Sequence, residues 1–439
     1  MKWLVRALVL FLVRLYYPAR SSEGRARVGE APVIFAPNHP NALLDPLVLR
    51  LAVGGPVAFL AKSTLFSNVL TRFVLGAFDA IPVYRQRDDA SDRPAAASRE
   101  DKNEATFAQC RSLLAAGGKL ALFPEGTSHS DPTLKPLRTG AARIALSAEA
   151  EHGFAMRLRI VPVGLFYEAK STFRSRAHVV FGTPISIAAY RDRHHADPRA
   201  AAAELTADIR RAMDDVVLQA TTRELLDGAT RLAFSLDEDA RELGERHEHA
   251  KRLLDGYRVV SVREPARTEA LVERCRRYLA TMTLLGIDDP WTLEMPSMKK
   301  RTITLRAFAL AFSSPFALGG ALLGWIPYRL AGRVAARVTA EEDVLGTTKL
   351  LGGALFLLVA WALEASFVGL YFGLAAGLTF APLAALLGLV ALLWDESFGQ
   401  ARLALRALFL RRDPMVRELA AERAAIARDV SALLDVSAP

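Results

Sequence analysis

Between residues 30 and 220, short apolar runs alternate with longer stretches whose apolar positions recur every three or four residues. The short runs predict strands at 32–36, 57–61, 79–84, 119–123, 159–165 and 177–182. The longer stretches predict helices at 45–53, 64–76, 100–116, 139–151 and 200–220. Strands alternating with helices imply an α/β domain, a mostly parallel sheet flanked by helices, over residues 19–220. Asp88 to Lys102 is polar and Ala-rich, contains Pro94, and reads as a surface loop.

The flanks follow other patterns. In residues 1–18, Leu8 to Val13 is apolar and bracketed by Arg6 and Arg14, too short a run to span a bilayer. On a helical wheel Lys2, Arg6 and Arg14 share one third of the circumference, with Trp3, Tyr16 and Tyr17 near the ends. This is the pattern of an amphipathic helix lying in a membrane interface; a helix packed on the globular domain is the alternative. Residues 221–306 are rich in Glu, Arg and Leu and read as helical, as does the tail at 413–439. Between them, 307–412 reads as a membrane region. Leu350 to Trp394 holds one charged residue, Glu364, and fits two transmembrane helices, 350–370 and 374–394, turning at Tyr371-Phe372-Gly373.

Basic residues set the expected orientation. Arg329, Arg333, Arg337 and Lys349 precede the hairpin, and Arg402, Arg406, Arg411 and Arg412 follow it. Excess Lys and Arg marks cytoplasmic flanks, so both hairpin ends are expected in the cytoplasm, with the α/β domain on the same side, at the inner or plasma membrane if the cell is bacterial. The uncharged stretch 308–327 is then expected to be re-entrant or interfacial, bent at Pro315 and Gly319-Gly320, with a third crossing as the competing reading.

Composition narrows the partners. The chain of 439 residues is 51% hydrophobic and carries a formal charge of +9. Such a charge suits nucleic acid or anionic lipid, and the long apolar runs favour lipid. No nucleic-acid motif or aromatic-rich basic stripe is present. The two cysteines, Cys110 and Cys275, lie far apart in helix-like surroundings, which argues against a disulfide framework or a zinc site. Nothing in the sequence calls for a metal or a cofactor.

Two motifs carry chemistry. Asn38-His39-Pro40-Asn41-Ala42-Leu43-Leu44-Asp45 follows the first predicted strand, and Phe123-Pro124-Glu125-Gly126-Thr127-Ser128 follows the fourth. Sites in open α/β sheets lie beyond the carboxyl ends of strands. A neutral imidazole can remove the proton of an attacking alcohol, and a carboxylate on its other nitrogen fixes the tautomer. His39 and Asp45 are the candidates. No Gly-x-Ser-x-Gly is present, which favours direct transfer without a covalent intermediate. Backbone N–H groups at the start of the 45–53 helix are candidate oxyanion donors. Gly126 permits a tight turn and close backbone approach beside Glu125 and Thr127.

The order of these blocks resembles the lysophosphatidate and glycerol-3-phosphate acyltransferase superfamily. Its first motif places four residues between His and Asp; here five separate His39 from Asp45. That spacing is similar to a subgroup including the fungal glycerol-3-phosphate/dihydroxyacetone-phosphate acyltransferases, whose His-x-Asn-x-x-x-Asp-Pro run is matched by His39, Asn41, Asp45 and Pro46. Further blocks fit in order: Phe59-Leu60-Ala61-Lys62, a third ending at Arg85, Phe123-Pro124-Glu125-Gly126, then Lys135 to Gly140, Val161 to Gly164, and Phe173 to Arg176. Ser128-His129 stands where many members carry an Arg, as in the fungal subgroup.

The resemblance covers residues 30–190 and implies a membrane-bound O-acyltransferase of phospholipid synthesis. The donor would be acyl-CoA or acyl-carrier protein. The acceptor would be glycerol 3-phosphate, dihydroxyacetone phosphate or 1-acylglycerol 3-phosphate. Glu125 would hold the acceptor or the site geometry. An acceptor phosphate needs cations, for which Arg85, Arg138, Arg174 and Arg176 are candidates. Arg85 follows a strand end, and Arg174 and Arg176 share a face if that stretch is extended. A non-catalytic lipid-binding or membrane-scaffold protein of the same fold is the alternative.

Overall fold

Apolar runs without a polar face become strands covered on both sides. The central strand β2 (Val33–Pro37) is buried at all of its positions. Ile34 and Ala36 face a core shared with Leu120, Ile144, Ile160 and Leu205, while Phe35 meets Phe181 on the opposite face at 5.9 Å between ring centroids. The computed structural model describes residues 1–30, 32–84, 96–293, 300–339, 341–410 and 413–437. They form two compact units, one of residues 1–226 with 341–347, the other of 227–340 with 348–439.

The first unit holds an eight-stranded sheet of β1 (Ala19–Glu23), β2, β3 (Ala58–Lys62), β4 (Ala80–Val83), β5 (Lys119–Ala121), β6 (Arg159–Tyr167), β7 (Arg176–Phe181) and the two-residue β8 (Ile185–Ser186). Across the sheet the order is β1-β7-β6-β2-β5-β3-β4, with β8 also on β6. Pairing is parallel except where β6 meets β7 and β8. The sheet is therefore mostly parallel and flanked by helices, as the alternation predicts. One face is covered by α4 (Ala96–Ala115), α5 (Gly140–Glu151) and α7 (Pro198–Val216), and α6 (Arg191–Ala196) leads into α7. Helix α4 already includes residues 96–102, so the segment read as loop up to Lys102 is helical from Ala96 onward.

On the other side lie α1 (Lys2–Tyr16), α2 (Leu44–Val53) and α3 (Val69–Ala77). Helix α1 is docked: Arg6 Nε donates to Ala77 O at 2.8 Å, and Val13, Tyr16 and Tyr17 are buried. Its outer face is nonetheless apolar, with Trp3, Leu4, Leu8 and Phe11 all more than half exposed.

In the second unit α8 (Arg223–Leu236), which begins in the first, runs into α9 (Leu243–Arg263), α10 (Pro265–Leu285) and α14 (Pro414–Ser437). Leu232, Leu279, Met282 and Ile426 pack together there, and Arg274 donates to Glu422 at 2.9 Å. Among the described residues, three helices are long and apolar enough to cross a membrane: α11 (Lys300–Val338), α12 (Glu342–Phe372) and α13 (Leu374–Leu410). The stretch 308–327, expected to bend, lies inside α11, which continues through Pro315 and Pro327. Helices α11 and α13 pack closely. A Cβ on Gly320 would stand 2.0 Å from Leu387 O, and Trp394 Nε1 donates to Leu310 O at 2.9 Å. Gly373, at φ +92°, forms the α12–α13 turn. The basic flank residues Arg411 and Arg412 lie outside the described residues.

Candidate active site

Strands β2 and β5 are parallel neighbours, Val33 opposite Lys119, so their carboxyl ends reach the same sheet edge. The two motif loops therefore meet. His39 N donates to Glu125 Oε1 at 3.2 Å, and His129 N donates to His39 O at 3.0 Å. Asn38 extends the ladder from β2 to β6: its amide oxygen accepts from Leu165 N at 2.7 Å and its Nδ2 donates to Leu165 O at 3.2 Å. This fixes where the chain leaves the sheet, one residue before His39.

The five-residue spacing still brings His39 to Asp45. His39 Nδ1 lies 2.8 Å from Asp45 Oδ2. The loop closes because Ala42 adopts φ +39°, unusual for a residue with a side chain, and tight turns bond Leu44 N to Asn41 O and Asp45 N to Ala42 O. Asp45 N, at the start of the helix expected to offer oxyanion donors, is thereby committed to the turn. The His39 ring stacks on Phe123 at 3.9 Å, and its side chain is 14% exposed.

Asp45 is fully buried and surrounded by donors. Oδ2 also accepts from Asn41 N at 2.7 Å, and Oδ1 accepts from the Tyr167 hydroxyl at 2.7 Å. Burial, reinforced by the nearby Asp45 charge, pushes the Tyr167 phenol well above its ordinary pKa, so it stays a donor. The Tyr17 ring lies tilted against Tyr167, 5.2 Å between centroids, and its hydroxyl accepts from Asn41 Nδ2 at 2.6 Å and donates to Lys170 O. Sequence reasoning did not single out Tyr17, Tyr167 and Lys170 as site residues, because their contacts with Lys170 O, Asp45 and Pro40 O span 153, 122 and 130 residues.

Glu125 is equally enclosed. Besides His39 N, it accepts from Lys135 N at 2.8 Å and from His129 Nε2. His129 Nδ1 accepts from Asp131 N at 3.2 Å, which places the imidazole proton on Nε2, toward Glu125. Both oxygens of Glu125 are thus taken by the chain's own loops. Gly126 sits at φ +75°, and a Cβ there would stand 2.5 Å from Arg138 Nε. Thr127 is exposed beside it.

The candidate arginines divide. Arg138 is exposed, lies against Gly126, and its guanidinium has no hydrogen-bond or ion-pair partner among the described residues. Arg176 forms a fork with Glu168 at 2.8 and 2.7 Å. Arg174 stands before β7 at φ +64°, its N donating to Tyr16 O at 2.8 Å, so it and Arg176 are not on one extended face. Arg85 lies outside the described residues. Cys110 and Cys275 are both buried and free, and no metal-binding group of three or more His, Cys, Asp or Glu occurs among the described residues.

Residues 19–165 match the family model described as Acyltransferase. Glycerol-3-phosphate O-acyltransferase 2 of Saccharomyces cerevisiae is 27% identical over 271 residues, 60% of this chain and 36% of that protein. Glycerol-3-phosphate O-acyltransferase 1 of the same yeast is 43% identical over 74 residues, 17% of this chain and 10% of its own length. The matches thus span little more than a third of these relatives at most. Among solved structures, the 1-acyl-sn-glycerophosphate acyltransferase of Thermotoga maritima aligns with a TM-score of 0.32 and 16% identity, covering 47% of this chain and 80% of that one. Residues 19–165, which hold both motifs and their sheet edge, therefore carry an acyltransferase-family domain.

Proposed function

We propose that the protein is a membrane-bound O-acyltransferase that moves a fatty acyl group from a thioester, acyl-CoA or acyl-carrier protein, to the hydroxyl of a phosphorylated glycerol. Glycerol 3-phosphate, dihydroxyacetone phosphate and 1-acylglycerol 3-phosphate are the acceptors this reading admits. The observation that carries it is the 2.8 Å contact of His39 Nδ1 with buried Asp45 at the carboxyl edge of the sheet. Asp45 accepts, so the His39 proton sits on Nδ1 and Nε2 is left as the base. Nε2 takes the acceptor's hydroxyl proton as its oxygen attacks the thioester carbon. The C–O bond forms, the C–S bond breaks, and the imidazolium returns the proton to the departing thiolate. Glu125 shapes the loop that carries His39. Arg138 is the first choice for the acceptor phosphate, because its exposed guanidinium offers a planar fork of donors. Arg174 and Arg85 are further candidates, and Arg176 would have to leave Glu168 to join them. Helices α11–α13 and the apolar outer face of α1 meet the bilayer and its anionic lipids, with the catalytic domain in the cytoplasm.

Steady-state kinetics of the purified protein, with both substrates varied, test this. His39→Ala should lose at least about 10²-fold in kcat. Arg138→Ala should raise the acceptor KM and leave the donor KM near its original value. Turnover close to that of the parent in folded His39→Ala rejects the base assignment, and a rise in donor KM alone moves Arg138 away from the phosphate.

A further inference from the structure

The first turn of α12 is part of the catalytic unit, although the rest of that helix is not. Glu342 in this turn grips Arg223 through two parallel bonds, 2.9 and 2.8 Å, and lies 3.7 Å from Lys170 Nζ. Lys170 reaches back to the active-site loops: its ammonium donates to Pro40 O at 3.3 Å and to Ser130 Oγ. Pro40 follows His39, and Ser130 follows His129, the residue bound to both Glu125 and His39 O. Arg223 closes the circuit, donating to Ser130 O at 2.9 Å. One turn beyond Glu342, Gly346 rests on the same loop, where a Cβ would stand 2.8 Å from Asn41 Oδ1 and 3.0 Å from Lys170 O.

We propose that Lys170 and Glu342 are positioning residues, which hold the Pro40-Asn41 segment so that His39 meets Asp45 in its reactive orientation. Both act through the loop rather than on a substrate. The case is one of charge and burial. Lys170 is drawn into a site where burial lowers the pKa of its ammonium, and the Glu342 carboxylate opposes that loss. Burial in turn disfavours the Glu342 charge, but Lys170 and Arg223 outweigh it and hold the carboxyl below its ordinary pKa. Each of the two cations is stabilised by the carboxylate between them while opposing the other, so Glu342 is the member that holds the cluster together. An ammonium on Pro40 O fixes the backbone directly after the base, where small displacements have large kinetic effects. The inference rests on the acyltransferase reading above only for its kinetic arm.

The test uses the full chain in phospholipid nanodiscs, with a long-chain acyl-CoA and glycerol 3-phosphate or 1-acylglycerol 3-phosphate as probes. Lys170→Met and the isosteric Glu342→Gln are compared with the double variant. Each single change should lower kcat about tenfold with both KM values within about twofold, and the double should be no worse than the poorer single, since the pair acts as a unit. Hydrogen exchange across residues 38–45 should quicken in all three while the β6 and β7 peptides keep their protection. Unchanged exchange in 38–45 in folded Glu342→Gln overturns the proposal, as do kcat losses that multiply in the double variant. If the parent protein transfers no acyl group from acyl-CoA or acyl-carrier protein to glycerol 3-phosphate, dihydroxyacetone phosphate or 1-acylglycerol 3-phosphate, the functional reading fails, and the exchange measurement alone decides the positioning role.

Discussion

A carboxylate whose oxygens all face donors of its own chain is a brace, and Glu125 fits that description. His39 N, Lys135 N and His129 Nε2 converge on it, leaving no oxygen turned toward a ligand. Glu125→Gln replaces one acceptor with an NH2 group that must face a donor. A buried unsatisfied group costs about 1–3 kcal/mol, so the variant should melt lower and turn over more slowly, with acceptor KM little changed. Thermal unfolding and kinetics on one preparation check this; a large rise in acceptor KM at unaltered stability would return Glu125 to direct substrate contact. At this scale the sequence is readable where chemistry is local. His39, Asp45 and Glu125 stand within short motifs after apolar runs, and the chain brings them together. Tyr167 is silent in the sequence, because its role depends on β6 lying beside β2, which no local pattern encodes. Ala42 is silent too: nothing in its identity announces a left-handed backbone.

Among the elements, the buried strands are the legible ones. β2, β6 and β7 lie within or close to their apolar runs, since a strand covered on both faces has to be apolar throughout. β1 is the opposite case. Ala19–Glu23 is exposed along its length, polar in composition, and recognisable only by its partner β7, more than 150 residues away. That pairing sets His178 opposite Ser21, with Nδ1 2.8 Å from Ser21 Oγ. Burial pushes the His178 pKa down to about 4. An unfolded chain, with an ordinary histidine pKa of about 6.5, takes up a proton that the folded protein refuses. The contribution is therefore complete above pH 6.5 and shrinks as pH falls from there toward 4. Urea unfolding at pH 7 and pH 5 should show a smaller loss of stability in His178→Gln than in the parent; equal losses would mean the imidazole is protonated in the fold. Helix α1 shows how one pattern can serve two ends: its periodicity supports both a docked face, anchored by Arg6 and Tyr16, and the apolar face it leaves outside.

For the whole molecule, membrane attachment should reside in the long apolar helices. A chain cut after residue 300 loses all three membrane-capable helices, and carbonate washing should release it from membranes. Deleting residues 2–12, which spares the buried Val13, Tyr16 and Tyr17, should leave the otherwise full chain in the pellet. Firm retention of the 1–300 chain would place the anchor in α1 or the catalytic domain instead. The interleaving of the two units also has a bearing on how the chain is made. Glu342 is 119 residues beyond Arg223, so at about 5–20 residues per second the ribosome reaches it roughly six to twenty-four seconds later. All of α11 is synthesised in that interval. A nascent chain therefore displays both motifs well before it owns the turn that seats against Asn41. The loop that carries His39 receives its last support only after the first lipid-compatible helix has emerged, which orders the two events: apolar segment first, completed motif loops second.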